Sequence, residues 1–212
     1  GLMGSGRTEL ARALIGADPK TSGKVFFRGK ELNIHGPADA VDAGIGYLSE
    51  DRKRFGLLLI QDVTFNIALS SLKKYTNKFG FFKKSPAVVI AKEGIKTLGI
   101  KTPSERQLLK NLSGGNQQKV VIAKWLAKDC EILIFDEPTR GIDVGAKDEI
   151  YKLLTKLASQ GKSIIMISSE LPEVLRMSDR IAVMCEGRLT GIIDNKDADQ
   201  NSIMQLATKF RD

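Results

Sequence analysis

Ile132-Leu133-Ile134-Phe135 runs straight into Asp136-Glu137-Pro138, and Ile164-Ile165-Met166-Ile167 runs into Ser168-Ser169-Glu170. Four apolar residues in a row, rich in β-branched side chains, fit strands covered on both faces. Between the two runs, Ile150, Leu153, Leu154 and Leu157 recur at helical spacing, and Gly161 supplies a left-handed stop. Strand, helix, strand with short connections is a βαβ unit. The chain is therefore read as α/β with a sheet that is at least partly parallel.

Working outward, Val25-Phe26-Phe27 before Arg28-Gly29-Lys30 predicts a strand entering a tight turn, and Ile181–Cys185, Glu186-Gly187 and Arg188–Ile193 predict a hairpin. A last helix is expected over Ser202–Phe210. Residues 57–111 have another texture, richer in Lys and less regular, and are expected to form a mainly helical insertion between core segments 1–56 and 112–212. The stretch Lys73–Lys84, with Tyr75, Phe79, Phe81 and Phe82, comes nearest to a basic stripe interleaved with aromatics, and is read as loop or partner surface.

At 212 residues and 42% apolar content, the chain is long enough to bury a continuous core without staples. Cys130 and Cys185 form no C-x-x-C motif and sit beside apolar runs, so both read as reduced core thiols. No stretch approaches the roughly 20 apolar residues of a membrane span. A net charge of +8 suits nucleic acid, polyphosphate ligands or an anionic membrane surface, and selects none of them. The single histidine, His35, reads as solvated in a loop.

Three segments carry chemistry. Gly1-Leu2-Met3-Gly4-Ser5-Gly6-Arg7-Thr8 fits the spacing of a phosphate-binding loop, except that Arg7 stands where Lys is expected. Gly1, Gly4 and Gly6, with Ser5 between them, allow backbone N–H groups to converge on phosphate oxygens. A helix over Glu9–Ile15 would point its positive end at them, and Thr8 has the hydroxyl to hold Mg²⁺. Asp136, at the end of a buried strand, is placed for Mg²⁺ on ATP phosphates, and Glu137 beside it to orient or deprotonate water. The same Asp-Glu-Pro also suits an ordinary strand exit. Finally, Leu112-Ser113-Gly114-Gly115-Asn116 heads a helix with apolar Val120, Val121, Ile122 and Trp125, a second turn suited to anions. Two such helix ends cannot serve one phosphate unless another half or copy brings the second.

These motifs, in this order, resemble the nucleotide-binding domains of ABC transporters, and Leu112-Ser113-Gly114-Gly115 resembles that family's signature. Glu50-Asp51-Arg52-Lys53, Asp136 to Lys147 and Ser168 to Glu173 are similar to the C-terminal half of monosaccharide importers' ATP-binding subunits, of the ribose and galactoside type. The resemblance implies a P-loop ATPase with ATP and Mg²⁺ as cofactors and residues 57–111 as a helical subdomain that meets transmembrane permease subunits. It implies Thr8 and Asp136 on Mg²⁺, Glu137 on the water, and Asp143 in the loop coupling two sites. Ser113, Gly114, Gly115 and Asn116 would contact the γ-phosphate of ATP held by a second nucleotide-binding half, on the same polypeptide or a second copy.

Further implied are a peripheral place on the cytoplasmic face of the membrane, an indirect link to a sugar-binding protein outside, and no nucleic acid. Glu50 falls where most members have Gln, and Ser169 where a His usually contacts the γ-phosphate. With Arg7, both resemble a degenerate half. Family members also place a strand before the phosphate loop and an adenine-stacking sheet before that. Residues 1–212 contain neither, so the chain alone is expected to be poorly stable and to bind ATP weakly. Two rivals stand beside this reading: a nucleotide-binding regulatory module that does not hydrolyse, and an ABC-type ATPase outside transport.

Overall fold

The computed structural model describes residues 1–210, so the last two residues of the expected core lie outside the described residues. The chain divides into two compact units, Gly1–Ala43 with the chain from Ile165 onward, and Gly44–Ile164.

In the first unit, α1 (Arg7–Leu14) starts two residues before the expected Glu9, because Gly6 adopts the left-handed conformation that turns the loop directly into a helix. Its end is tied by Arg12, whose guanidinium donates two 2.7 Å hydrogen bonds to Asp18. The predicted first turn is present: β1 (Val25–Phe27) pairs antiparallel with β2 (Lys30–Leu32), through Arg28 and Gly29 at positive φ. A short α2 follows at Pro37–Asp42.

After α7 (Leu171–Met177) comes the second predicted hairpin, β6 (Arg180–Cys185) with β7 (Arg188–Asp194). The last helix, α8 (Gln200–Ala207), lies earlier than the expected 202–210. Asp199 caps it by accepting from Ser202 N–H, which fixes the start two residues sooner. Ile203 and Ala207 of α8 close a core with Ile181 and Val183.

The second unit opens with β3 (Ile45–Leu48), a tight π-turn at Arg52–Gly56 and α3 (Val63–Ala68). The buried Asn66 amide bonds both N–H and C=O of Leu58, so the connecting loop is held from inside. Then follow a 3₁₀ segment to Tyr75, α4 (Lys84–Leu98) and α5 (Gly114–Ala127). α3, α4 and α5 pack on one another. α5 is buried on almost every side, which explains why its apolar residues show little helical period.

β4 (Ile132–Asp136), α6 (Val144–Ser159) and β5 (Ser163–Ile167, which runs across the division between the units) follow in the strand, helix, strand order that the sequence announces. The strand order is β3-β4-β5, with β3 parallel to β4. Sequence reasoning had no strand at β3. Gly44 and Gly46 interrupt its apolar run, and Gly46 is glycine because Trp125 and Leu133 press within about 3.1 Å of where a Cβ would sit. Among the described residues no helix is long and apolar enough to cross a membrane.

Candidate functional site

The loop Gly1–Thr8 lies in the first unit and is shaped by dihedral angles. Gly4 and Gly6 have φ of 76° and 89°, where side chains with a Cβ are strained. Their amides donate to no acceptor among the described residues, and Ser5 Oγ is buried with no hydrogen-bond partner. Unpaired donors and an orphaned hydroxyl beside a helix start fit a cradle for phosphate. Gly187 N–H donates to Ser5 O, pinning the loop to the β6–β7 turn.

Arg7 does not stand over this loop alone: its guanidinium donates to the carbonyl oxygen of Ser168. Ser168 is a firm anchor, since its hydroxyl donates to Glu173 and accepts from Glu170 N–H. Ser169 beside it is exposed, and so is His35.

Asp136 and Glu137 lie in the second unit. Asp136, only 1% exposed, ends β4, and the Tyr47 hydroxyl donates 2.8 Å to its Oδ2. Glu137 follows at φ 48°, a left-handed turn that swings the chain off the strand; Arg140 N–H closes it on Glu137 O. This is not the extended backbone of a plain strand exit. Glu50 forms an ion pair with Arg140, and the Arg140 carbonyl accepts from Arg52.

The signature turn is built by packing. Ser113 is the N-cap of α5; Asn116 Nδ2 donates 2.8 Å to its hydroxyl, while Asn116 Oδ1 accepts from Lys101 N–H at 2.7 Å. The buried Gln117 amide donates to Leu109 and Leu112 carbonyls, closing the approach to the helix. A Cβ on Gly115 would meet the Ala146 methyl at 2.8 Å, and one on Gly114 would meet Arg52 Nη2 at 2.8 Å. Asp143 caps α6 by accepting from Ala146 N–H at 2.9 Å.

Ser113, Gly115, Asn116, Asp143 and Gly145 line one recess of about 270 Å³. On its wall, the Lys119 ammonium bonds Glu149 at 2.6 Å and holds that carboxyl below the usual range. The first amides of α5 have no intrahelical acceptor, so the recess offers N–H groups at a positive helix end.

The structure thus gathers Ser113, Gly115, Asn116 and Asp143 around one recess, joins Glu50 to Arg140, and brings Arg7 to the residue before Ser169. Thr8 and the loop glycines lie in one unit, Asp136 and Glu137 in the other. Sequence reasoning gave no role to Tyr47, Arg140 or Gln117, although Arg140 lies within the Asp136–Lys147 stretch and Gln117 just beyond Asn116; the buried position of Gln117 within an apolar helix could have drawn notice. Both cysteines are buried as expected, and burial pushes the Cys130 thiol up to about 11, away from nucleophilic use.

Comparison with known proteins gives this arrangement its family. The ABC transporter profile matches residues 1–140. The chain belongs to the ABC transporter family. A putative ribose/galactose/methyl galactoside import ATP-binding protein of Burkholderia lata is 61% identical over 99% of the chain and 41% of its own length. A ribose import ATP-binding protein of Clostridium perfringens is 56% identical over 98% of the chain and 41% of its own length. The chain therefore spans about two fifths of these relatives, in their C-terminal half.

Among solved structures, an ATP-binding cassette of an ABC transporter superposes with a TM-score of 0.81 at 20% identity, over 97% of this chain and 84% of that one. A dimeric cassette bound to ADP and phosphate superposes at 0.74 with 21% identity, over 90% of this chain and 81% of that one. The fold is that of a P-loop ABC ATPase, α/β with a parallel sheet and helices, as the sequence implied.

Proposed function

We propose that this chain is the second ATP-binding half of an ABC-type importer subunit, using ATP hydrolysis to drive monosaccharide entry from the cytoplasmic face of the membrane. The carrying observation is identity of 61% across 99% of the chain with relatives named for ribose and galactoside import. Its partners would be a preceding ATP-binding half or second copy, permease subunits and, through them, a sugar-binding protein, with no nucleic acid.

The loop Gly1–Gly6 would hold the phosphates of one ATP, with Thr8 and Asp136 supplying a hydroxyl and a carboxylate to Mg²⁺. Hard oxygen donors of this kind suit Mg²⁺, and among the described residues no group of three His, Cys, Asp or Glu forms a cage for another metal. When bound, Mg²⁺ would neutralise charge on the phosphates. Glu137 orients and deprotonates water. Ser113, Gly114, Gly115 and Asn116 present their amides to the γ-phosphate of a partner's ATP, with Asp143 beside them in the coupling loop.

Three observations favour a weak site on the chain's own loop. Arg7 is engaged by the Ser168 carbonyl, Glu50 by Arg140, and Ser169 offers a hydroxyl where imidazole would serve. Ser113, Gly115 and Asn116, by contrast, line one recess together with Asp143. In the intact transporter Ser113→Arg should abolish transport, while Arg7→Ala should leave a substantial fraction; equal losses refute the asymmetry. A non-hydrolysing regulatory half is the second reading, favoured by the engagement of Arg7. Glu137→Gln separates them: an unchanged single-turnover rate at this chain's own site makes that half a binding module.

A further inference from the structure

Between Asp62 and Glu93 the chain has no acidic residue, and Lys73, Lys74, Lys78, Lys83 and Lys84 fall within twelve positions of it. The structure folds this stretch into a small hydrogen-bonded hairpin. Thr76 bridges Phe82 antiparallel, Lys83 N–H donates to Tyr75 O at 2.6 Å, and Asn77 N–H donates to Phe81 O at 2.9 Å. The Asn77 side chain accepts from both Phe79 and Phe81 N–H, which closes the tip around Gly80 at φ 83°.

The four aromatics are sorted by this geometry. Tyr75 is buried with Ala68 and Ala87, and Phe82 packs there too, its ring 5.4 Å from that of Phe65. Phe79 and Phe81 point out, 74% and 71% exposed, and all five lysines are exposed around them. Two aromatic rings held in water by a closed hydrogen-bonded turn, inside a collar of ammonium groups, are not accounted for by core packing.

We infer that the Tyr75–Lys83 hairpin docks on an anionic lipid bilayer, Phe79 and Phe81 entering the headgroup region while the five lysines meet lipid phosphates. The apolar tip and basic collar match the two layers of such a surface: rings at the acyl boundary, ammoniums at the charged plane, lysine stems spanning the difference. Each lysine within a screening length of an anionic leaflet contributes a factor of about five in partitioning. Single-stranded nucleic acid fits less well, since base stacking uses aromatics along a groove that tracks the backbone, whereas both free rings here project from one turn. The inference rests on the transport reading only for why a membrane would be near.

The test is sedimentation of the chain with phosphatidylcholine vesicles carrying about one-third phosphatidylglycerol, against neutral phosphatidylcholine vesicles. Binding should occur with the anionic vesicles alone and weaken as salt rises. Changing Lys73, Lys74, Lys78, Lys83 and Lys84 to Gln should lower partitioning at least about tenfold. A charge-matched control with Lys20, Lys30, Lys110, Lys156 and Lys196 changed to Gln should stay within about twofold.

Phe79→Trp, at an exposed site that leaves the fold alone, should shift its emission to the blue on anionic vesicles. Trp125, the one native tryptophan, is buried and gives a constant background. Equal losses in the two lysine variants, or no blue shift, overturn the proposal. So does a single-stranded oligonucleotide that binds through the same lysines while vesicles do not. Vesicle binding needs no nucleotide: an intact protein that binds anionic vesicles but hydrolyses no ATP sinks the transport reading and leaves this surface standing, and the converse result does the opposite.

Discussion

The loop before α1 and the turn before α5 both feed a helix through closely spaced glycines, and they need glycine for different reasons. Gly4 and Gly6 sit at positive φ, and Gly4 has open space where a Cβ would go. Gly115 has ordinary helical dihedrals, yet the Ala146 methyl stands 2.8 Å from that position. One turn spends its glycines on backbone shape, the other on close approach of α5 to α6. A turn made by dihedrals can sit on a short helix such as α1, with only Ala11 buried; one made by packing requires the buried bundle that surrounds α5.

The largest effect should come from breaking the close approach. Gly115→Val should lower the stability of the chain by about 3 kcal/mol in urea unfolding. The milder Gly115→Ala should be partly rescued by Ala146→Gly, although glycine in α6 itself costs about 1 kcal/mol. No rescue would show that dihedral angle, not distance, governs this position too.

Next comes the charge buried along α5. Lys124 is 5% exposed, donates to Gly56 O and lies over the Trp125 ring, and desolvation lowers its ammonium from 10.5 to about 8. Below pH 8 folded and unfolded chains are both protonated here; between about 8 and 10.5 the unfolded chain binds more protons. Stability should therefore rise with pH across that window, by up to about 3 kcal/mol. Lys124→Met should remove this rise, and a melting curve that keeps the same slope in the variant would dismiss the assignment.

Gly4→Ala should cost about 1 kcal/mol, purely through φ, and Gly4→Asn should recover part of it because Asn tolerates the left-handed region. If Ala and Asn behave alike, the loop does not hold that conformation in solution. Smallest is Asp18→Asn at the end of α1. The Arg12 hydrogen bond holds the Asp18 carboxyl below its usual value. That contribution is complete above the ordinary carboxylate range and is lost as pH falls through the lowered one. The variant should differ from the native chain slightly near neutral pH and not at all in strong acid, read as a shift in melting temperature.

These contrasts follow what was legible in the residues. Ile150, Leu153, Leu154 and Leu157 announce α6 because one buried face leaves a period, and both hairpins are announced by paired turn residues. α5 is announced by its glycines and not by its period, since burial on all sides erases one. β3 was invisible because Gly46 yields to Trp125, a partner far along the chain. For the same reason Tyr47 could not be connected with Asp136, nor Glu50 with Arg140.

By itself the sequence determined the local devices: which turns hold glycine, which strand ends in two carboxylates, which helix follows Ser113, and to which family they belong. These depend on neighbours within one or two turns of backbone, where spacing alone carries the chemistry. Only the tertiary structure decided which glycine serves angle and which serves distance, that Arg7 turns to the Ser168 carbonyl, and that two of four aromatics near Lys78 face water. Those outcomes depend on contacts between segments far apart in the chain, where packing and desolvation choose among side-chain positions that the sequence leaves equally open.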